Sequence, residues 1–224
     1  MSKIISNHKT YLMNSILQFV KKGRTIDFER LIPFIRSRCS KASININDQG
    51  IKIILNSFLD NNFIVQGSKL TRDKVLGNIN RKRIYETIKE HPGIYFYKLV
   101  TTLNMSNHVV AWHINILFKF NYINKEIIDN HEVYFDSDLK TLNKEAVYLL
   151  SKEKCKEIIT YLKNNGNIGI TKTRLSNNLK IHYNIISKYV DKLENIGILD
   201  KENLSNKTLY YINEPFFDNL LKIS

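Results

Sequence analysis

Two stretches of this chain carry the same series of apolar residues. One runs Ile84, Ile88, Ile94, Leu99, Leu103, Val109, His113, Leu117, Ile123 and Phe135. The other runs Ile158, Leu162, Ile168, Leu175, Leu179, Ile185, Tyr189, Leu193, Leu199 and Tyr211. The spacing matches throughout, apart from two extra residues between Ile168 and Leu175. An internal repeat constrains architecture more than any single motif, and a unit of about 75 residues is a small domain rather than a solenoid repeat.

The middle stretch reads as three helices and a hairpin. Asn80 is placed to cap a helix over RKRIYETIKE, and His91-Pro92-Gly93 stops it. FYKLVTTL forms a second, short helix, and a polar turn at Asn104 to Asn107 follows. HVVAWHINILFKF forms a third helix, with Val109, His113, Leu117 and Phe120 turned inward. Ile123 to Ile128 and Glu132 to Phe135 are β-branched and apolar, joined by Asp129-Asn130-His131. Three helices and a two-stranded hairpin make a winged helix-turn-helix.

The last third repeats this order. SKEKCKEIITYLKNN ends at Gly166, Thr171 caps TKTRLSNNL, and a third helix spans His182 to Asn195. Ile198 to Lys201 and Thr208 to Ile212 form the hairpin, and Pro215 opens a final helix, FFDNLLKI. The first third is a looser copy. Helices are expected near His8–Lys21, Asp27–Arg38 and Asn47–Asn62, with IVQGSKLTRD as the wing. The expected fold is mainly α with small β-hairpin wings (α+β), as tandem winged helix-turn-helix domains over residues 1–77, 78–143 and 144–224, the last with a C-terminal helix.

The run PGIYFYKLVTTLNMSNHVVAWHINILFKFNYI resembles archaeal winged-helix transcriptional regulators. Those carry a Pro-Gly after the first helix and a Val-x-x-His-Ile/Leu-x-x-Leu helix before the first wing strand. Here that helix reads Val110-Ala111-Trp112-His113-Ile114-Asn115-Ile116-Leu117. The resemblance covers the middle unit well, the last fairly and the first weakly. It implies that the third helix enters the major groove of double-stranded DNA and reads base edges.

On that helix, Asn107, Ala111 and Asn115 lie opposite the apolar face, with Ser106 and His108 at its start. Asn can bond adenine through two hydrogen bonds, and Ser can touch phosphate or base. These five residues are the expected base-reading set, although any solvated face in an Asn-rich chain has a similar composition. The equivalent face of the last unit carries Ser187 and Asp191, and Asp191 would repel phosphates. The middle wing carries Glu126, Asp129 and Glu132 and is a poor minor-groove probe for the same reason.

The net charge of +13 fits a polyanionic partner. Codon drift toward Lys accompanies the 32 Ile and 27 Asn, so Arg is the better witness, and seven of the eight Arg precede residue 84. Residues 1–77 hold a net +8, against +1 for 78–143 and +4 for 144–224. Phosphate contacts are therefore expected from Arg36, Arg38, Lys69, Arg72 and Lys74, among neighbours Arg24, Arg30 and Lys41. A solvated basic face is the plainer reading of the same set.

Ile53 occupies the position of Ala111 in the first unit. It is either an exposed contact for a second subunit or protein, or a core residue in a shifted register. Trp112 and Phe118 suit a protein interface better than a cofactor pocket, and either a homodimer or a protein partner could use such residues. A protein-interaction adaptor similar to the winged helices of endosomal-sorting complexes or RNA polymerase accessory subunits is the alternative function.

His113 faces the apolar side and reads as core rather than ligand, and no Cys/His cluster has zinc spacing. No Gly-rich phosphate loop, nucleophile elbow or acid pair occurs, so neither enzymatic activity nor a cofactor is expected. Cys39 and Cys155 are expected to be inert thiols. No apolar run approaches the roughly 20 residues of a membrane span, and the first residues lack a signal-peptide pattern. A cytoplasmic protein is expected.

Overall fold

The computed structural model describes residues 2–139 and 143–223. Residues 140–142, beside the expected boundary at 143, lie outside the described residues. The chain is mainly helical, with small antiparallel sheets. It divides into two compact units: Met1–Glu86 with Leu103–Ile123, and Thr87–Thr102 with Asn124–Ser224.

The first unit contains α1 (Ser2–Lys21), α2 (Phe28–Lys41), α3 (Asp48–Asp60) and α4 (Arg72–Val75). It also holds the first turns of α5 (Ile79–Glu90) and, further along the chain, all of α7 (Asn107–Lys119). The Asp27 and Asn47 side chains cap α2 and α3 by accepting from the Glu29 and Gly50 backbone N–H groups. Leu12, Ile16 and Phe19 on α1 meet Leu31 and Ile35 on α2 and Ile51, Leu55 and Phe58 on α3. Each set recurs at three- or four-residue intervals, so each helix turns one stripe inward. Burying each such side chain contributes about 1.5–3 kcal/mol.

The expected wing after α3 shrinks to one antiparallel bridge, Ile64 with Thr71. The loop between them bonds elsewhere: the Gly67 N–H donates to the Ile26 carbonyl, and the Ile26 N–H donates to the Ser68 carbonyl, each at 2.8 Å. Those bonds draw the loop toward the α1–α2 connection and leave no ladder to extend.

The second unit holds the end of α5, then β1 (Ile94–Tyr95) and α6 (Phe96–Leu103) up to Thr102. It continues with β2 (Ile123–Ile128) from Asn124 onward, β3 (His131–Asp136), α8 (Lys144–Leu150) and α9 (Glu153–Asn164). α10 (Lys172–Leu179), α11 (Tyr183–Asn195), β4 (Leu199–Leu204), β5 (Lys207–Ile212) and α12 (Glu214–Ile223) complete it. The strands form two sheets, ordered β1-β3-β2 and β4-β5. Asp129 and Asn130 turn the β2–β3 hairpin with φ of 54° and 61°. Two successive positive φ values suit the twist of a two-residue hairpin, and Asn and Asp tolerate them. One core joins Val133 and Phe135 to Tyr148, Cys155, Ile158 and Leu162, and extends to Leu175, Val190 and Leu193.

The repeat is visible in the backbone, with a corrected alignment. β1 pairs Ile94 with Tyr134, and a lone bridge pairs Ile170 with Tyr210. Ile170, not Ile168, is therefore the counterpart of Ile94. Ile168 is 67% exposed, whereas Ile170 is buried. The two extra residues lie before this bridge. On the third helices the expected inward positions Val109, Ile185 and Tyr189 give way to Val110, Ile186 and Val190, whereas His113, Leu117, Phe120 and Leu193 are buried as expected. Val110 and Ile186 are fully buried, Val109 is only half-buried and Ile185 is 42% exposed. Tyr211 is half-buried, and its neighbours Tyr210 and Ile212 enter the core. Asn78 rather than Asn80 caps α5, its Oδ1 accepting from the Arg81 N–H at 3.1 Å. No described helix is long and apolar enough to cross a membrane.

Candidate nucleic-acid interface

α7 is capped by Ser106, whose hydroxyl oxygen accepts from the Val109 N–H at 3.4 Å. The cap leaves the Ser106 hydroxyl proton available to a ligand. Asn107, His108 and Asn115 are exposed and Ala111 is half-buried. Asn107, Ala111 and Asn115 are four residues apart, so they line one face over roughly 12 Å. Lys119 is the next member of the series; it is exposed and forms no ion pair among the described residues. Its spacing of four from Asn115 was a signal available in the sequence. The exposed α7 face therefore carries amides and a cation, with no carboxylate.

Behind that face, His113 is buried, and its Nδ1 has no hydrogen-bond partner among the described residues. Burial pushes the imidazole below its ordinary pKa of 6.5, and the nearby Arg81 guanidinium pushes in the same direction. Arg81 is itself buried, with Nε donating to the Val75 carbonyl at 2.5 Å. His113 is thus a neutral core residue. Below pH 6.5 the unfolded chain takes up this proton more readily than the folded one. Stability is fully present above that pH and falls as the solution is acidified below it, by at most about 1.4 kcal/mol per pH unit. Melting temperatures between pH 7.5 and 5 should therefore drop less in His113→Leu than in the parent. Parallel curves would show that His113 titrates normally.

The basic set divides in the structure. The Arg36 guanidinium holds both carboxylate oxygens of Asp48. Arg38 donates to the Ser15 hydroxyl at 3.2 Å, and its guanidinium carbon lies 5.8 Å from the centre of the Phe34 ring. Arg72 donates to the carbonyls of Phe120 and Asn121 at 2.8 and 3.4 Å, and lies 4.7 Å over the Tyr122 ring. Tyr122 returns a hydrogen bond to the Arg72 carbonyl. Arg72 therefore binds the carbonyl end of α7, where a cation is favourable, instead of standing free for phosphate. Lys69 and Lys41 are exposed without an ion pair among the described residues, and Lys74 has only an exposed contact with Asp73 at 3.5 Å. Ile53 is 61% exposed, which settles its two readings in favour of the surface. Trp112 and Phe118 are also exposed.

In the second unit the acids of the β2–β3 hairpin and of α11 are paired locally. Lys144 pairs with Glu126 at 2.5 Å, Lys125 with Glu132 at 3.4 Å, and Lys192 with Asp129. Lys172 pairs with Asp191 at 2.5 Å and also reaches the Ser187 hydroxyl, which itself donates to Asp191. Ser187 and Asp191 on the polar face of α11 are thus tied to each other and to Lys172 at the start of α10. Among the described residues, no group of three or more His, Cys, Asp or Glu is arranged to hold a metal ion.

No protein-family model matches the chain. The chain is a distant homologue of an uncharacterized HTH-type transcriptional regulator of Methanocaldococcus jannaschii, with 31% identity over 146 residues. The match covers 65% of this chain and 36% of that protein, so the chain spans little more than a third of its relative's length.

Proposed function

We propose that this chain is a DNA-binding transcriptional regulator built of tandem winged helix-turn-helix units, with α7 in the major groove. The carboxylate-free face of α7, with Asn107, Asn115 and Lys119, is the observation that carries this reading. Three units, over residues 1–77, 78–143 and 144–224, account for the repeated element order, the first with a vestigial wing. Descent shared with an archaeal HTH-type regulator supports the same class. Ser106, His108 and Ala111 complete the base-facing set, and Lys69 and Lys74, with Lys41 beside them, supply phosphate contacts. Arg36, Arg38 and Arg72 serve mainly to hold the first unit together. In this reading the protein works in the cytoplasm.

The test is a salt titration of binding to random duplex DNA. Affinity should fall with a log–log slope near −0.9 per phosphate contacted. The triple variant Lys41→Ala, Lys69→Ala and Lys74→Ala should make the slope shallower by up to about 3 and weaken all sequences alike. An unchanged slope places the phosphate contacts elsewhere.

The second reading, a protein-interaction adaptor, draws on exposed apolar side chains: Ile53 and Phe63 in the first unit, and Tyr183 and Ile185 on α11. These could also serve a homodimer. Absence of duplex binding at low salt would favour the adaptor.

A further inference from the structure

A cavity of about 730 Å³ lies within the second unit, between the end of α5, β1 and α6 on one side and α8 and the start of α9 on the other. That volume is in the range of small-molecule sites, which are mostly apolar with a few convergent polar groups. Pro92, Ile94, Tyr95, Val147 and Leu150 supply the apolar wall.

The polar group is Lys152. It is half-buried, with Nζ 3.9 Å from the centre of the Tyr148 ring and 5.3 Å from that of Tyr95. It forms no ion pair among the described residues. Asp129, the acid on another element that acts on it, is engaged with Lys192. Two exposed acids in the cavity lining, Glu90 and Glu153, are matched in number by two exposed lysines, Lys98 and Lys156. Lys152 remains as the surplus, partly desolvated charge. Burial lowers its pKa from the ordinary 10.5, which is the cost an anion beside it would offset. Lys152 is also the N-cap of α9 and makes no side-chain cap, so the dipole of that helix adds to the positive field.

We propose that this cavity binds a small organic acid, its apolar body against Ile94, Tyr95, Val147 and Leu150 and its carboxylate on the Lys152 ammonium. Such a ligand spans β1 and α8, elements from the two successive repeats. The site does not depend on whether the chain binds DNA.

The test is calorimetric titration of the full chain with benzoate, 3-phenylpropionate and octanoate, and with 3-phenylpropionamide as the neutral match. At least one acid should bind saturably at one site. The amide should bind about tenfold or more weakly than its acid. Lys152→Met keeps an apolar stem over the tyrosines and should weaken acid binding by a similar factor, whereas Lys152→Arg should retain it. Val147→Trp should abolish binding by filling the cavity. Circular dichroism reports folding of each variant, and the acid–amide comparison on the unaltered chain stands even where a variant fails to fold. No saturable binding by any acid up to millimolar concentration overturns the proposal. Equal affinity for acid and amide also overturns it, as does binding unchanged by both Lys152→Met and Val147→Trp.

Discussion

Replacing Asn107 and Asn115 together by Ala should weaken binding to a cognate duplex by on the order of a hundredfold, and should change binding to random duplex by less than about threefold. Each amide that pairs with a base through two hydrogen bonds contributes about 1–3 kcal/mol of discrimination. Both side chains are exposed on one face of α7. Their removal should shift folding stability by no more than about 0.5 kcal/mol, because surface positions tolerate truncation and Ala favours a helix. Fluorescence anisotropy with a selected site and a scrambled duplex reads the difference. Equal losses on both would reassign these amides to the sugar–phosphate backbone. A variant that no longer folds would mean that the face is covered in the working assembly.

Gly93→Val should strongly destabilise the second unit, lowering unfolding free energy by about 2–5 kcal/mol. Gly93 has φ of +81°, a region that costs an L-residue about 1–2 kcal/mol and a β-branched one more. A Cβ there would stand 3.2 Å from the Tyr148 Cα and 3.3 Å from its ring, so backbone would have to give way. Gly93 also donates its N–H to the Tyr134 carbonyl at 2.8 Å, fixing the entry to β1. The Gly of the Pro-Gly pair is thus a geometric requirement of the turn. Gly166→Ala is the control: φ is +66° but no atom of the described residues lies within 4 Å of the new Cβ, so only the backbone cost of about 1–2 kcal/mol applies. Urea titrations of the two variants should separate strain from crowding, and equal midpoints would contradict the tight contact with Tyr148.

Much of the fold was readable because its signals are local. Thr171 caps α10 as its position before an apolar-periodic run suggests. Asp129-Asn130 turns a hairpin because those residue types accept positive φ. The one-residue error on α7 arose where apolar residues crowd both sides of the helix: Val109 and Val110 each lie within the stripe that His113 and Leu117 define, and spacing alone does not choose between them. β1, at two residues, is too short to show alternation. The roles of Arg36 and Arg72 were hidden for a different reason. Their partners lie 12 and 48 residues away, and only the tertiary fold brings a carboxylate or a helix end to the guanidinium. Candidate base-facing residues were readable from helical spacing, whereas the division of the cations into occupied and available was not.

The environment of the two native thiols has a practical consequence for spectroscopy. Cys39 and Cys155 are free, buried side chains, and burial pushes both thiols above their ordinary pKa, Cys155 to about 12. Near neutral pH each is protonated and shielded, so neither offers the thiolate that maleimides and spin labels attack. A single reporter at Asn107→Cys or Lys119→Cys can therefore be attached selectively without first removing the native cysteines. Either end of α7 then becomes a point from which distances to a labelled duplex end can be measured by energy transfer.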